Sequence, residues 1–78
     1  MLGPMEKLRE YLNNLSTEEQ SAFVRRCNTS VSYLRKAISA KQHLGPNLAI
    51  AIERETDGAV SCEDLRPDVD WQFLRNTA

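Results

Sequence analysis

The sequence predicts an all-α fold, a small domain of four to five short helices with a short C-terminal extension. Three observations predict it. Apolar residues recur at three- and four-residue spacing through most of the chain, as they do on a helix with one buried face. Ser16-Thr17-Glu18-Glu19 is a helix-starting sequence, because Ser16 and Glu19 can each accept a free backbone N–H of the other. Gly45-Pro46 and Asp57-Gly58 supply the punctuation that separates short helices. With 78 residues, 41% of them apolar, the chain is long enough for one domain and not two.

Residues 1–4 read as a leader or scar, residues 5–58 as the core and residues 59–78 as the extension. A first helix is expected from about Glu6 to Asn14, with Leu8, Tyr11, Leu12 and Leu15 on one face. The second runs from the Ser16 cap to about Cys27, its acids in the first turn and Arg25 and Arg26 near its end, as the helix dipole favours. The third covers about Val31 to Ser39 after a Ser30 N-cap. The fourth runs from Pro46 to Thr56. Leu48, Ile50, Ala51 and Ile52 make it the most apolar of the set and predict a central position. Gly58 is expected to stop it in the left-handed conformation. Beyond it, Ser61-Cys62-Glu63-Asp64 opens a single helical turn that Arg66-Pro67 ends, and Asp68 to Asn76 forms a last short helix. There, Trp71, Phe73 and Leu74 are expected to close the core or cover a dimer partner.

Gln20 to Ile38 forms the centre of this plan. Cys27-Asn28-Thr29 joins two short amphipathic helices by a tight turn, and Asn tolerates the left-handed backbone such a turn needs. Phe23, Val24 and Cys27 face inward from one helix, Leu34 and Ile38 from the other. Ser32, Arg35 and Lys36 are left pointing outward from the second helix, with Val31 and Tyr33 beside them. A helix–turn–helix places its second helix in the major groove, where forked or short polar side chains meet base edges and cations meet phosphates. Ser30, Val31, Ser32, Tyr33, Arg35 and Lys36 are the candidates for that surface. Gln20 is a candidate phosphate clamp, and Lys41, with His43 and Asn47 near it, a second phosphate neighbour.

Charge distribution agrees with this reading better than net charge does. The net charge is only -1, yet no acid lies between Glu19 and Glu53. That gap holds Arg25, Arg26, Arg35, Lys36 and Lys41, whereas beyond Gly45 the acids Glu53, Glu55, Asp57, Glu63, Asp64, Asp68 and Asp70 outnumber Arg54, Arg66 and Arg75. A local basic surface matters more to a polyanion than the global sum. No catalytic constellation accompanies it. His43 is the lone histidine, Gly3, Gly45 and Gly58 form no phosphate-cradling loop, and no cluster has metal-ligand spacing. Neither a cofactor nor an enzymatic activity is expected. Cys27 and Cys62 lack paired-ligand spacing and read as reduced buried thiols. Without a secretory signal or an apolar run of membrane-spanning length, the cytoplasm is the simplest compartment.

QSAFVRRCNTSVSYLRKAI resembles, without gaps, the helix–turn–helix of small phage Cro and repressor proteins. AIERETDGAVSCEDLRPDVDW resembles the segment that follows the recognition helix in YdaS-type prophage regulators, a Cro-like group also described as antitoxins. The pattern AIE…T.G.V…DLRPD is the more specific half. The resemblance implies a lambda-repressor-like (Cro-like) helix–turn–helix domain that represses transcription from double-stranded operator DNA. It implies a homodimer at least on DNA, and a two-fold site. Val24 and Leu34 would then be the buried pair between the two helices, and Val31, Ser32, Arg35 and Lys36 would hold the base-reading positions. Asn28 stands where the family has a turn glycine. An alternative is an antitoxin-like protein-interaction module, with a toxin as main partner and the acidic tail as its contact.

Overall fold

The computed structural model describes residues 4–76. Six helices succeed one another among the described residues: α1 (Pro4–Asn13), α2 (Thr17–Arg26), α3 (Val31–Ala40), α4 (Pro46–Glu55), α5 (Cys62–Leu65) and α6 (Trp71–Asn76). None of them is long and apolar enough to cross a membrane. Residues 1–3 of the expected leader lie outside the described residues, whereas Pro4 already belongs to α1 and Met5 is buried.

One core holds the bundle together. Leu8 and Leu12 enter it from α1, Phe23, Val24 and Cys27 from α2 and its end, Leu34, Ala37 and Ile38 from α3, and Ala49 and Ile52 from α4. The Tyr11 and Phe23 rings meet at 5.3 Å with a tilt of 54°, an edge-inclined contact that fixes α1 on α2. α4 differs from expectation. Its buried stripe is Ala49 and Ile52, so Ile50, one residue round the helix, is turned outward and stays 47% exposed.

The predicted starts and stops explain why these helices are short. Glu19 N–H donates to Ser16 Oγ at 3.2 Å, and Ser16 N–H donates to Glu19 Oε1 at 2.8 Å, closing the capping box of α2. Those bonds hold the Glu19 carboxyl below its ordinary pKa, the Ser16 backbone N–H contributing most and the Ser16 hydroxyl next. α2, α3 and α4 each stop on a non-glycine residue with positive φ: Asn28 (58°), Lys41 (54°) and Asp57 (57°). All three stops carry the same two bonds. At the first, Thr29 N–H donates to the Val24 carbonyl at 2.9 Å and Asn28 N–H to the Arg25 carbonyl at 3.1 Å. At the third, Asp57 is left-handed, and Gly58 follows with the positive φ expected of it, 86°.

The segment after α4 is bolted down by polar groups. Cys62 N–H donates to Glu53 Oε1 at 2.9 Å. Thr56 is buried, and its Oγ1 accepts Val60 N–H at 3.1 Å. Ser61 and Asp64 form a second capping box, at 3.1 Å in both directions. Burial pushes the Asp64 carboxyl up, but the Ser61 and Lys7 hydrogen bonds outweigh it and leave the pKa below the usual range. Arg66 grips Asp68 with two bonds, 2.9 and 2.8 Å, and donates from Nη1 to the Leu44 carbonyl at 2.9 Å. Val60, Cys62, Leu65 and Trp71 fill the remaining core, and Trp71 Nε1 donates to the Arg66 carbonyl at 2.8 Å.

Candidate nucleic-acid interface

The outward surface of α3 follows from what the helix buries. Leu34, Ala37 and Ile38 form its inner stripe. With about 3.6 residues per turn, Ser32, Lys36 and Ser39 lie opposite that stripe, and all three are exposed. Val31 and Arg35 flank them on one side, each half-buried. On the other side Tyr33 borders a hollow shared with Asn47, Leu48, Ile50 and Arg54. A second, shallow hollow lies over Ser32, Tyr33, Lys36, Ala37 and Gln42. Ser30 sits at the start of the helix, where its Oγ accepts Tyr33 N–H at 3.1 Å.

The turn into α3 keeps this surface close to α2. Asn28 takes the left-handed conformation without a glycine, and Val24 and Leu34 are both buried beneath it. Cys27 is buried at the same place, and burial pushes its thiol pKa up, more than the nearby Glu55 does. It is therefore a packed apolar group and a poor nucleophile at neutral pH.

The cations of the acid-free stretch fall into two sets. Arg26 pairs with Glu55 of α4 at 2.8 Å, and Arg35 Nη1 donates to Asn13 Oδ1 at 2.8 Å. Arg25, Lys36 and Lys41 are exposed and form no ion pair among the described residues. Lys41 caps α3 with a left-handed backbone, an uncommon conformation for a long side chain.

One expectation changes and one is narrowed. Gln20 has no amide donor to spare for a phosphate. Its Nε2 donates to the Leu12 carbonyl at 2.8 Å and the Leu15 carbonyl at 3.3 Å, and its backbone N–H donates to the Ser16 carbonyl. It satisfies carbonyls that the end of α1 leaves open, a need set by the neighbouring helix and invisible in the helix that carries Gln20. For Trp71 the core alternative holds: it lies in the core with its N–H bonded, and it is no surface contact. Phe73 and Leu74 remain outside, 62% and 48% exposed. Sequence reasoning missed Ser39, although its seven-residue spacing from Ser32 places the two on one line of a helix. Among the described residues no group of three His, Cys, Asp or Glu side chains could hold a metal ion.

The family model described as "Bacterial toxin YdaS" matches residues 19–74, from the capping Glu19 to the exposed Leu74. The chain belongs to the YdaS family. A "Putative transcriptional regulator YdaS" of Escherichia coli (strain K12) is 42% identical over 59 residues, 76% of this chain and 60% of that protein's length. A "Prophage transcriptional regulatory protein" of the same organism is 29% identical over 62 residues, 80% of this chain and 94% of the relative. No solved structure matches significantly. The family description names a toxin, where the sequence resemblance implied the antitoxin side of such a pair. In this YdaS-family chain the residues of the AIE…T.G.V…DLRPD pattern are structural. Glu53, Thr56, Asp64, Arg66 and Asp68 make the hydrogen bonds of the segment after α4, and Val60 and Leu65 fill its core.

Proposed function

We propose that this chain is a sequence-specific DNA-binding transcriptional regulator of prophage type, acting as a repressor, with α3 as the helix that enters the major groove. The observation that carries the reading is the α3 outer face. Ser32, Lys36 and Ser39 stand opposite a fully buried stripe, in a stretch of sequence without a single acid. Ser32 and Ser39 can exchange hydrogen bonds with any base edge, and Lys36 can donate to guanine O6 and N7. Arg25, beside the turn, and Lys41, at the end of α3, are candidates for phosphate contacts, and Val31 can touch a thymine methyl. A homodimer on a two-fold site fits a module this small, because one α3 reads only a few base pairs. The names of the two Escherichia coli relatives support the regulatory role.

The test is fluorescence anisotropy against duplexes selected from a randomised library, followed by a salt titration. Binding is expected to weaken steeply with salt. Lys36→Ala is expected to cost about 1–3 kcal/mol on the selected site and little on random duplex. If Arg35→Ala and Lys36→Ala both leave binding to the selected site unchanged, α3 is not the reader.

A second reading is favoured by the exposed Phe73 and Leu74, which follow the acids Asp68 and Asp70. In that reading the chain is a protein-interaction module whose partner is the other member of a toxin–antitoxin pair. Removing α6 is a poor test, because it takes Trp71 out of the core. Phe73→Ser with Leu74→Ser is the informative variant, and loss of partner capture with DNA binding intact supports this reading.

A further inference from the structure

Arg35 and Lys36 are neighbours on α3, yet the fold treats them differently. Lys36 stands free in solvent, whereas Arg35 is half-buried and held from another helix. Its Nη1 donates to Asn13 Oδ1 at 2.8 Å across 22 residues of sequence. Asn13 is the last residue of α1, and α1 has no basic residue in its own last turn. The negative end of the α1 dipole is thus complemented by a guanidinium that α3 supplies.

A guanidinium is planar, and its five donors are fixed relative to one another. Holding one nitrogen therefore restricts how the whole plane can turn. With Nη1 occupied by Asn13, the Nε–Nη2 edge is the two-donor fork left to Arg35, and a fork of this kind matches guanine O6 and N7. An unpinned Arg must give up its rotamer freedom at the moment of docking, whereas a pinned one has already done so.

We infer that Asn13, outside the helix–turn–helix, is a positioning residue for DNA sequence specificity, acting by holding the Arg35 fork ready for a guanine. This rests on α3 being the recognition helix. Asn13 itself touches no base; it acts through Arg35, and its effect disappears when Arg35 is absent.

The experiment is a double-mutant cycle on the full chain. Wild type, Asn13→Ala, Arg35→Ala and the double variant are each measured on the library-selected duplex and on random duplex, with melting temperatures recorded. Asn13→Ala is expected to lower the specific-to-random affinity ratio about five- to tenfold, within the usual range for coupled neighbours, with random-duplex affinity unchanged. The double variant is expected to be no less specific than Arg35→Ala alone. Asn13→Asp, which keeps the acceptor, is expected to restore the ratio while weakening binding to both duplexes equally through its added charge. Additive effects of the two alanine substitutions, or a wild-type ratio in Asn13→Ala, overturn the positioning role and leave the α3 reading standing. An unchanged ratio in Arg35→Ala with a lowered one in Lys36→Ala overturns it too, since Arg35 then reads nothing. If neither Arg35→Ala nor Lys36→Ala changes binding, the α3 reading fails and the inference fails with it.

Discussion

Thr56→Val tests whether the segment after α4 is held by hydrogen bonds as well as by packing. The replacement is nearly isosteric, so packing volume is retained and one hydroxyl is lost. Thr56 Oγ1 accepts Val60 N–H at 3.1 Å, and its proton has the Glu53 and Val60 carbonyls within reach, each at 3.3 Å. Val60 is only 1% exposed, so water cannot replace the lost acceptor for its N–H. Leaving a buried donor unsatisfied costs about 1–3 kcal/mol. For a domain of this size each kcal/mol lowers Tm by about 4–8 °C, which brings the expected fall to roughly 5–20 °C. Thr56→Ser keeps the oxygen and loses a methyl, at a cost of about 0.8 kcal/mol. The assay is thermal unfolding followed by far-ultraviolet dichroism and by the emission of Trp71, the only tryptophan, which is buried in this segment. The reasoning is refuted if Thr56→Val melts with wild type, or if Thr56→Ser is as damaging as Thr56→Val.

Lys41 holds a left-handed backbone at φ 54°. Lys41→Gly removes that strain and is expected to stabilise the domain by about 1 kcal/mol, while weakening binding to all duplexes alike and reducing the salt slope by about one. Parallel melting and anisotropy curves read both effects, and a less stable Lys41→Gly would contradict the strain assignment. Acid is expected to loosen the grip of Arg66. Its hydrogen bonds hold the Asp68 carboxyl down to about 2. A carboxylate depressed on folding contributes stability above its unfolded pKa of about 3.9, and that contribution disappears as pH falls through the folded value. Trp71 emission should therefore change between about pH 4 and 2, since its N–H bonds the Arg66 carbonyl. Asp68→Asn should abolish that acid-dependent step, and an unchanged titration in that variant counts against it.

The local parts of this fold were legible in the sequence because they depend on neighbours in the chain. The Ser16–Glu19 capping box, the Ser30 cap, the left-handed Asn28 and the Pro46 start all use contacts within a few residues. What depends on a second element was not. The apolar run of α4 gave no hint that Ala49 and Ile52 would take the core and leave Ile50 outside, because that angle is set by the helices it packs on. Gln20 serves the open carbonyls at the end of α1, a demand that no pattern within α2 announces. The same holds for the α3 face. The residue types were readable, but the half-burial of Arg35 and the outward place of Ser39 follow from how α3 lies against α1. Gly58 takes the positive φ expected of it, and Asp57 before it shares the left-handed region, which Asp tolerates better than most residues.

The grip of Glu53, Thr56 and Arg66 on the segment after α4 bears on how this kind of protein diversifies. The letters of the AIE…T.G.V…DLRPD pattern are fasteners of the scaffold, and none of them lies on the outer face of α3. A chain that matches them has been vouched for in its architecture and in nothing else. Two such chains can agree at every fastener and present different side chains at Ser32, Lys36 and Ser39. On the proposed reading of α3, scaffold and address are separately editable, and exchanging those three outward positions between relatives is expected to change DNA preference while leaving the melting temperature where it was.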